Sequence, residues 1–306
     1  MRALITGVAG PRGRALAVYL LAQGHEVVGV DTEPWPDAPP GVELHALDLC
    51  KRGFENLVRG CGAQALVHLA IHAGLRLPPA LRRQLNLEGS QRVFDLAARH
   101  GVRKLVVASH ATIYGALPDG PCFVTEQAPP AVGRAWPEMQ DVVAADLLAG
   151  TAMWQHPQME IAVLRPVHTL GPSSRDVLAL VLRRRFVPAV LGFDPMIQVV
   201  HQDDLCRAYA LALAPAVRGV YNVAGPGEVP LSILIRASGA RRIALPEAVI
   251  QRLRGRFGLP HVEPGAIEFL KHPCLVDGSR FAREAGYAPQ RSLVETVKAA
   301  GAARES

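Results

Sequence analysis

The chain has 306 residues, 49% hydrophobic and 20% charged, with a net charge of +6. That is enough apolar material for one large core or two ordinary ones, and it excludes an intrinsically disordered chain. No apolar run reaches the ~20 residues that span a bilayer. Five cysteines without CxxC spacing (Cys50, Cys61, Cys122, Cys206, Cys274) fit a reduced, cytoplasmic protein with no zinc site.

The N-terminus, MRALITG, meets a glycine turn too early for the apolar centre of a signal peptide. Arg2–Thr6 reads as a short buried strand ending at Gly7, and a helical pattern runs from Pro11 to Gln23. Glu26–Val30 is a second strand that stops at Asp31. A loop rich in proline (Pro34, Pro36, Pro39, Pro40) leads to a third strand, Val42–Leu47. A helix over Arg52–Arg59 precedes the strand Ala65–Ala70. Leu81–His100 is a long amphipathic helix stopped by Gly101, followed by the strand Arg103–Ser109. Trp136–Met153 reads as helix and Glu160–Arg165 as a sixth strand. Alternating strands and helices at this spacing predict an α/β fold: a Rossmann-type, doubly wound parallel sheet. The expected division is a dinucleotide-binding domain over 1–165, taking in 219–226, and a smaller C-terminal α/β substrate-binding part over 166–306.

The strongest local signal is the loop Thr6-Gly7-Val8-Ala9-Gly10-Pro11-Arg12-Gly13. Its glycines follow GxxGxxG. Glycine lets backbone turn tightly against a pyrophosphate, and the helix that follows offers unpaired N–H groups and its positive dipole end. Pro11 suits the first helical position, where its missing N–H would have no partner. An acid, Asp31, stands 18 residues after Gly13 at the end of the second strand, placed to accept the adenosine ribose hydroxyls. Its charge repels a 2′-phosphate, so NAD is favoured over NADP. Arg12 and Arg14 argue the other way, or belong to a solvated helix start.

These features resemble the extended short-chain dehydrogenase/reductases, and within them the NAD-dependent epimerase/dehydratase group. The resemblance is carried by the TGxxGxxG loop, Asp48-Leu49, His68-Leu69-Ala70, Asn86-Leu87-Glu88-Gly89 and Ser109-His110-Ala111-Thr112-Ile113-Tyr114-Gly115. It continues through Leu164-Arg165-Pro166, Gly171-Pro172, Gln198–Asp204, Gly219–Ala224, Asp277-Gly278-Ser279-Arg280 and Glu284-Ala285-Gly286-Tyr287. It implies that Asp48 and Leu49 lie near the adenine, that Leu69 and Ala70 line the cofactor path, and that Pro166 approaches the nicotinamide. It also implies dimers through two helices from each subunit.

The resemblance fails at the catalytic tyrosine and lysine, spaced YxxxK in that group. The phenol exchanges a proton with substrate, and because a free phenol titrates near ~10, it needs a cation beside it. Here Gln23, Pro118, Leu213, Gly225 and Arg291 stand four residues after the five tyrosines, and no lysine lies between Lys104 and Lys271. The alignment puts Trp136 and Gln140 at the two positions, or Pro137/Asp141, or Glu138/Val142. The hydroxyl of the group falls at His110, flanked by Ser109 and Thr112. These three are the candidates for proton transfer. His110 either acts as acid or base or simply fills space beside a loop. Glu138 and Asp141 are either acid/base partners or helix surface. His201, Asp203 and Asp204 have the residue types of a metal site, but the resemblance makes them structural, with the acids capping the next helix; no metal is expected.

The charge is uneven. Residues 1–165 are neutral, so the whole +6 falls on 166–306, which holds Arg183-Arg184-Arg185 and Arg241, Arg242, Arg252, Arg254 and Arg256. That fits an anionic small-molecule substrate such as a nucleotide sugar, or a solvated arginine-rich surface. With 5% aromatics and no basic stretch interleaved with them, nucleic acid is the less favoured partner. Two readings lead: an NAD-binding oxidoreductase or epimerase/dehydratase-like enzyme with non-standard acid/base residues, and a catalytically inactive dinucleotide-binding sensor or scaffold.

Overall fold

The computed structural model describes residues 1–72, 77–253 and 263–301, with backbone alone at 134–135 and 253. Arg254 and Arg256 lie outside the described residues.

The chain opens with β1 (Arg2–Thr6), α1 (Pro11–Ala22), β2 (Glu26–Asp31), β3 (Val42–Ala46), α2 (Arg52–Gly60) and β4 (Ala65–His68). Next come α3 (Pro79–Gln84), a wide π turn at Leu85–Gly89, α4 (Ser90–Arg99) and β5 (Lys104–Ala108). A single turn α5 (Val132–Ala135) precedes α6 (Gln140–Gln155) and β6 (Glu160–Pro166). Those six strands and β10 (Gly219–Val223) form one sheet in the order β10-β6-β5-β4-β1-β2-β3. Every pairing in it is parallel.

The physical reason for the doubly wound form is visible in β1. Ala3 and Ile5 enter one core with Leu16 and Leu20 of α1, while Leu4 enters the other with Phe54 of α2 and Phe94 of α4. A strand covered on both faces reads as a continuous apolar run, as β1, β4 and β5 do. Strand order reverses between β1 and β4, and ligands of such sheets bind outside the carboxyl ends of the strands at that switch.

The smaller part is built from β7 (His168–Leu170), α7 (Val177–Leu182), β8 (Phe186–Val190), β9 (Met196–His201) and α8 (Gln202–Ala212), then β11 (Glu228–Pro230), α9 (Leu231–Ala237) and β12 (Arg241–Leu245). α10 (Glu247–Leu253) and α12 (Leu293–Gly301) complete it, while α11 (Ser279–Ala285) returns to β10 and packs Phe281 into the first core. β7, β9 and β11 form one small sheet, and β8 pairs with β12 in another. α8 crosses back to pack on α1 in the first core.

Two expected helices differ. Leu81–His100 is interrupted by the π turn, which turns Asn86 inward. Its side chain accepts from His72 N–H (2.8 Å) and donates to the His72 carbonyl (3.0 Å). The helix expected from Trp136 begins at Gln140. Trp136 precedes Pro137, is driven out of helical geometry (φ −137°, ψ 82°), and a 3₁₀ turn, Pro137–Met139, intervenes.

Candidate cofactor and catalytic site

The glycine loop lies at the end of β1, against the end of β4. Gly7 has φ +73°, and a Cβ there would stand 3.0 Å from Ala70 N. At Gly13 a Cβ would fall 2.3 Å from the Gly7 carbonyl oxygen, so both glycines are demanded by the fold itself. Gly10 is different: a Cβ would meet only the Gly7 oxygen, at 3.4 Å. Among the described residues nothing requires glycine at position 10, so the space in front of the helix end is open to a ligand. Pro11 takes the first turn of α1 without an N–H, leaving the Arg12 and Gly13 amides at the helix end.

Asp31 ties this loop to β2. Its Oδ2 accepts from Ala9 N–H (2.9 Å) and its Oδ1 from Glu33 N–H (3.1 Å). Each oxygen has a second lone pair for a ribose hydroxyl. Arg14 is engaged locally: its Nε donates to the Ala9 carbonyl (2.6 Å) and its guanidinium lies over the Trp35 ring. Arg12 reaches the other way, and its charge opposes protonation of His110. Asp48 does not cap α2, whose N-cap is Lys51; it accepts from Cys50 N–H (2.8 Å) just beyond β3. Leu49 packs at the edge of the second core, and Leu69 N–H donates to the Thr6 carbonyl (3.1 Å). The loop, Asp31, Leu69 and Ala70 thus meet at the switch point, with Asp48 and Leu49 on the β3 side. Pro166 closes β6 on the opposite side, paired with Val223.

At the ends of β5 and β6 the structure gathers a polar cluster. His110 caps the 3₁₀ turn Ala111–Tyr114: its Nδ1 accepts from Thr112 N–H (3.1 Å) and lies 2.9 Å from Thr112 Oγ1. A backbone N–H can only donate, so His110 carries its proton on Nε2, which donates to Asp176 Oδ2 (3.1 Å). Both ring nitrogens are therefore committed inside the protein. Burial lowers the His110 pKa, against the raising effect of Asp176. Ser109 Oγ is buried with no protein partner among the described residues.

Two members of this cluster are absent from the sequence-based candidates. Asp176, the N-cap of α7, accepts from His168 Nδ1 (2.9 Å) and Leu178 N–H (2.9 Å) on Oδ1, and from His110 and Thr169 N–H (3.2 Å) on Oδ2. Burial alone would raise its pKa, but the two histidines outweigh this and hold it well below the usual carboxylate range. His168 stands two residues beyond Pro166. The only sequence signal for it is a histidine where the sixth strand leaves the sheet.

The helix expected to supply tyrosine and lysine is occupied differently. Trp136 is buried edge-on against Phe269 (6.2 Å between centroids), its Cβ pressed on Gly265. Gln140 and Glu138 are exposed. Asp141 is buried and paired: Arg82 Nε donates to its Oδ2 (2.8 Å), and Asn86 Nδ2 to the same oxygen (3.0 Å). Tyr114 is no substitute phenol. It donates to Asn222 Oδ1 and accepts from Arg165 (both 2.8 Å), and Arg165 is doubly bonded to Asp146. Lys104 sits at the opposite end of the sheet, donating to the Val217 carbonyl; burial lowers its pKa to about 8.

The second acidic group is structural, though its expected cap is reversed. His201, not an acid, caps α8 by accepting from Asp203 N–H (3.2 Å), while Asp204 accepts from Gln290 and Arg291 N–H (2.8 and 3.0 Å). Of the arginine cluster, Arg183 donates to the Gly171 and Pro172 carbonyls and Arg242 to the Phe193 carbonyl. Arg184, Arg185 and Arg241 face solvent where β8 and β12 begin, Arg185 with its guanidinium over Phe186.

Comparison with known proteins adds three findings. The NAD dependent epimerase/dehydratase family matches residues 3–224. An uncharacterised protein of Mycobacterium tuberculosis is 24% identical over 259 residues, 83% of this chain and 69% of its own length. A UDP-glucuronate 4-epimerase of Thermodesulfobacterium geofontis is 25% identical over 262 residues, 75% of this chain and 76% of its own. Among solved structures, a Thermus thermophilus UDP-glucose 4-epimerase in complex with NAD superposes with a TM-score of 0.79 at 23% identity, over 99% of this chain and 98% of that one.

Proposed function

The chain belongs to the NAD dependent epimerase/dehydratase family, and from that premise we propose that it is an NAD-binding oxidoreductase or epimerase/dehydratase-like enzyme with non-standard acid/base residues. Its substrate is an anionic small molecule of the nucleotide-sugar kind. The observation that carries the reading is the bare Gly10 at the head of α1, between two glycines that packing demands and beside an acid with acceptor capacity left. Such a cradle fits a pyrophosphate flanked by an adenosine ribose. Preference for NAD is supported by Asp31, whose charge repels a 2′-phosphate, while Arg14 is held by the Ala9 carbonyl and the Trp35 ring. The anionic substrate is supported by the net charge on 166–306 and by the nucleotide sugars in the names of the similar proteins.

A bound nicotinamide supplies a two-electron acceptor for a hydride from a substrate carbinol carbon. The chain's own part is to hold that carbon at the carboxyl ends of β4, β5 and β6 and to move the hydroxyl proton. The sequence-based candidates for that proton are His110, Ser109 and Thr112. A dinucleotide-binding sensor or scaffold is the second reading, favoured by the buried Trp136 at the position of the phenol. We further propose a homodimer, located in the cytoplasm. No helix of the described residues is long and apolar enough to cross a membrane.

Calorimetry tests the reading. NAD is expected to bind in the micromolar-to-millimolar range. Asp31→Ala is expected to weaken it about tenfold or more, the scale of lost hydrogen bonds to a charged group. Undetectable binding of both NAD and NADP overturns the enzyme and the sensor together.

A further inference from the structure

The cluster at the ends of β5 and β6 contains one group that is oriented and yet unspent. His168 Nδ1 lies 2.9 Å from Asp176 Oδ1, and Asp176 is an ionised, buried carboxylate that can only accept. The His168 proton is therefore on Nδ1, and the Nε2 lone pair is left over. Nε2 has no protein partner among the described residues and is not among the buried unpaired atoms; the side chain is 21% exposed. The neighbouring His110 has the reverse tautomer, with neither nitrogen available. The two rings lie 5.3 Å apart on the same carboxylate.

The donor atoms of His110, His168 and Asp176 all lie within 4.8 Å of one another, the spacing of a metal site. The hydrogen bonds reject that use. A metal at His110 Nε2 would force the ring proton onto Nδ1, against the N–H of Thr112. Asp176 already accepts four donors, two on each oxygen. The arrangement is instead that of an imidazole base held by a carboxylate, with the carboxylate fixed by two backbone amides and a second imidazole.

We propose that His168, oriented by Asp176, is the acid/base residue of this site, standing in for the missing tyrosine and lysine. This rests on the reading above that the crevice holds a dinucleotide and a hydroxylated substrate. His168 follows β6, three strands from β1 and roughly 14 Å across the sheet from the glycine loop. It is on the carboxyl-end side where ligands of this sheet bind. In the oxidative direction the carbinol C–H bond breaks and its electron pair leaves as hydride to the oxidised nicotinamide dinucleotide. The hydroxyl O–H bond breaks, its proton bonds to Nε2, and the oxygen's electron pair closes the carbonyl. Asp176, a positioning residue, faces the imidazolium so formed. In the reverse direction Nε2 returns the proton to the new alkoxide. An epimerase needs both directions in one cycle, and the same Nε2 serves as base in one and as acid in the other.

Two experiments on the full chain decide it. Nitrogen-15 NMR of ring-labelled protein is expected to show His168 as the Nδ1–H tautomer and His110 as the Nε2–H tautomer. An Nε2–H tautomer at His168 overturns the proposal whatever the substrate. Separately, the NAD-loaded protein is mixed with UDP-glucose, UDP-glucuronic acid or dTDP-glucose, and bound NADH is followed by absorbance. His168→Gln is expected to slow the formation seen with the wild type 10²–10⁴-fold, with calorimetric NAD affinity unchanged within twofold. His168→Gln turning over within a few-fold of wild type overturns the role of His168 and leaves the functional reading standing. Loss of NAD binding in the wild type overturns the functional reading instead.

Discussion

The buried histidine His68 shows how one residue links position to pH. Its Nδ1 lies 2.7 Å from Thr6 Oγ1 and its Nε2 3.0 Å from Ser90 Oγ, so it is satisfied as a neutral ring. Burial lowers its pKa to about 3. In the unfolded chain it titrates near ~6.5, so between these values the unfolded state holds the extra proton. Stability from this group is complete above about pH 6.5 and is lost as pH falls, by up to ~1.4 kcal/mol per unit. His72, His110 and His201, also lowered mainly by burial, steepen the same limb. Urea unfolding at pH 4.5 to 7.5 is expected to show this loss, and His68→Gln to lower stability at pH 7 while flattening the slope by up to one proton. An unchanged slope in the variant contradicts the buried neutral ring. At this scale the placement of the glycine loop after β1 and of Asp31 at the end of β2 was legible, because local backbone chemistry fixes where those strands end. His168 and Asp176 were not, because their partnership with His110 spans 66 residues and exists only once β5 and β6 are neighbours.

At the scale of elements, the central strands of the main sheet were the most legible, since β1, β4 and β5 are covered on both faces and read as apolar runs, whereas the edge strand β3 is largely exposed. The start of α6 was not, because the periodicity runs through Trp136 while Pro137 breaks the backbone there. What holds α6 in place is the buried pair Arg82–Asp141, with side chains 6% and 5% exposed, joined by Asn86 from the π turn. Arg82 also donates to the Glu138 carbonyl, so α3 is bound to the turn that starts α6. Removing one partner leaves a buried charge uncompensated, which costs ~3–5 kcal/mol, whereas replacing both by apolar residues is often neutral. Arg82→Met is therefore expected to lower stability by about that amount in urea unfolding, and Arg82→Met/Asp141→Leu to recover most of it. Additive losses in the double variant would mean the two side chains act separately.

For the whole molecule, the open question of assembly rests on the outer face of α6. Its inner face is small and buried at Ala145, Ala149 and Ala152, the last two packed in the second core with α4. Seven residues apart on the other side stand Leu147 and Trp154, the latter 87% exposed. Two turns of helix place them on one stripe. A tryptophan contributes nothing to the core from there, and its large apolar area is stabilising only when another surface covers it. A two-fold dimer brings the same stripe of a second copy against it, so the face need only complement itself. Trp154→Glu would set two carboxylates against each other across that axis while leaving the buried face intact. The wild type is expected to sediment as a dimer at micromolar concentration and the variant as a monomer, with the unfolding free energy of the monomer, compared at concentrations where both are dissociated, changed by no more than about 0.5 kcal/mol, as for surface substitutions generally. A wild type that remains monomeric at ~100 μM, far above the dissociation constants of specific interfaces of ordinary size, removes the dimer. The proposed acid/base cluster would then have to be complete within a single chain, as its hydrogen bonds among residues 110, 112, 168, 169, 176 and 178 already allow.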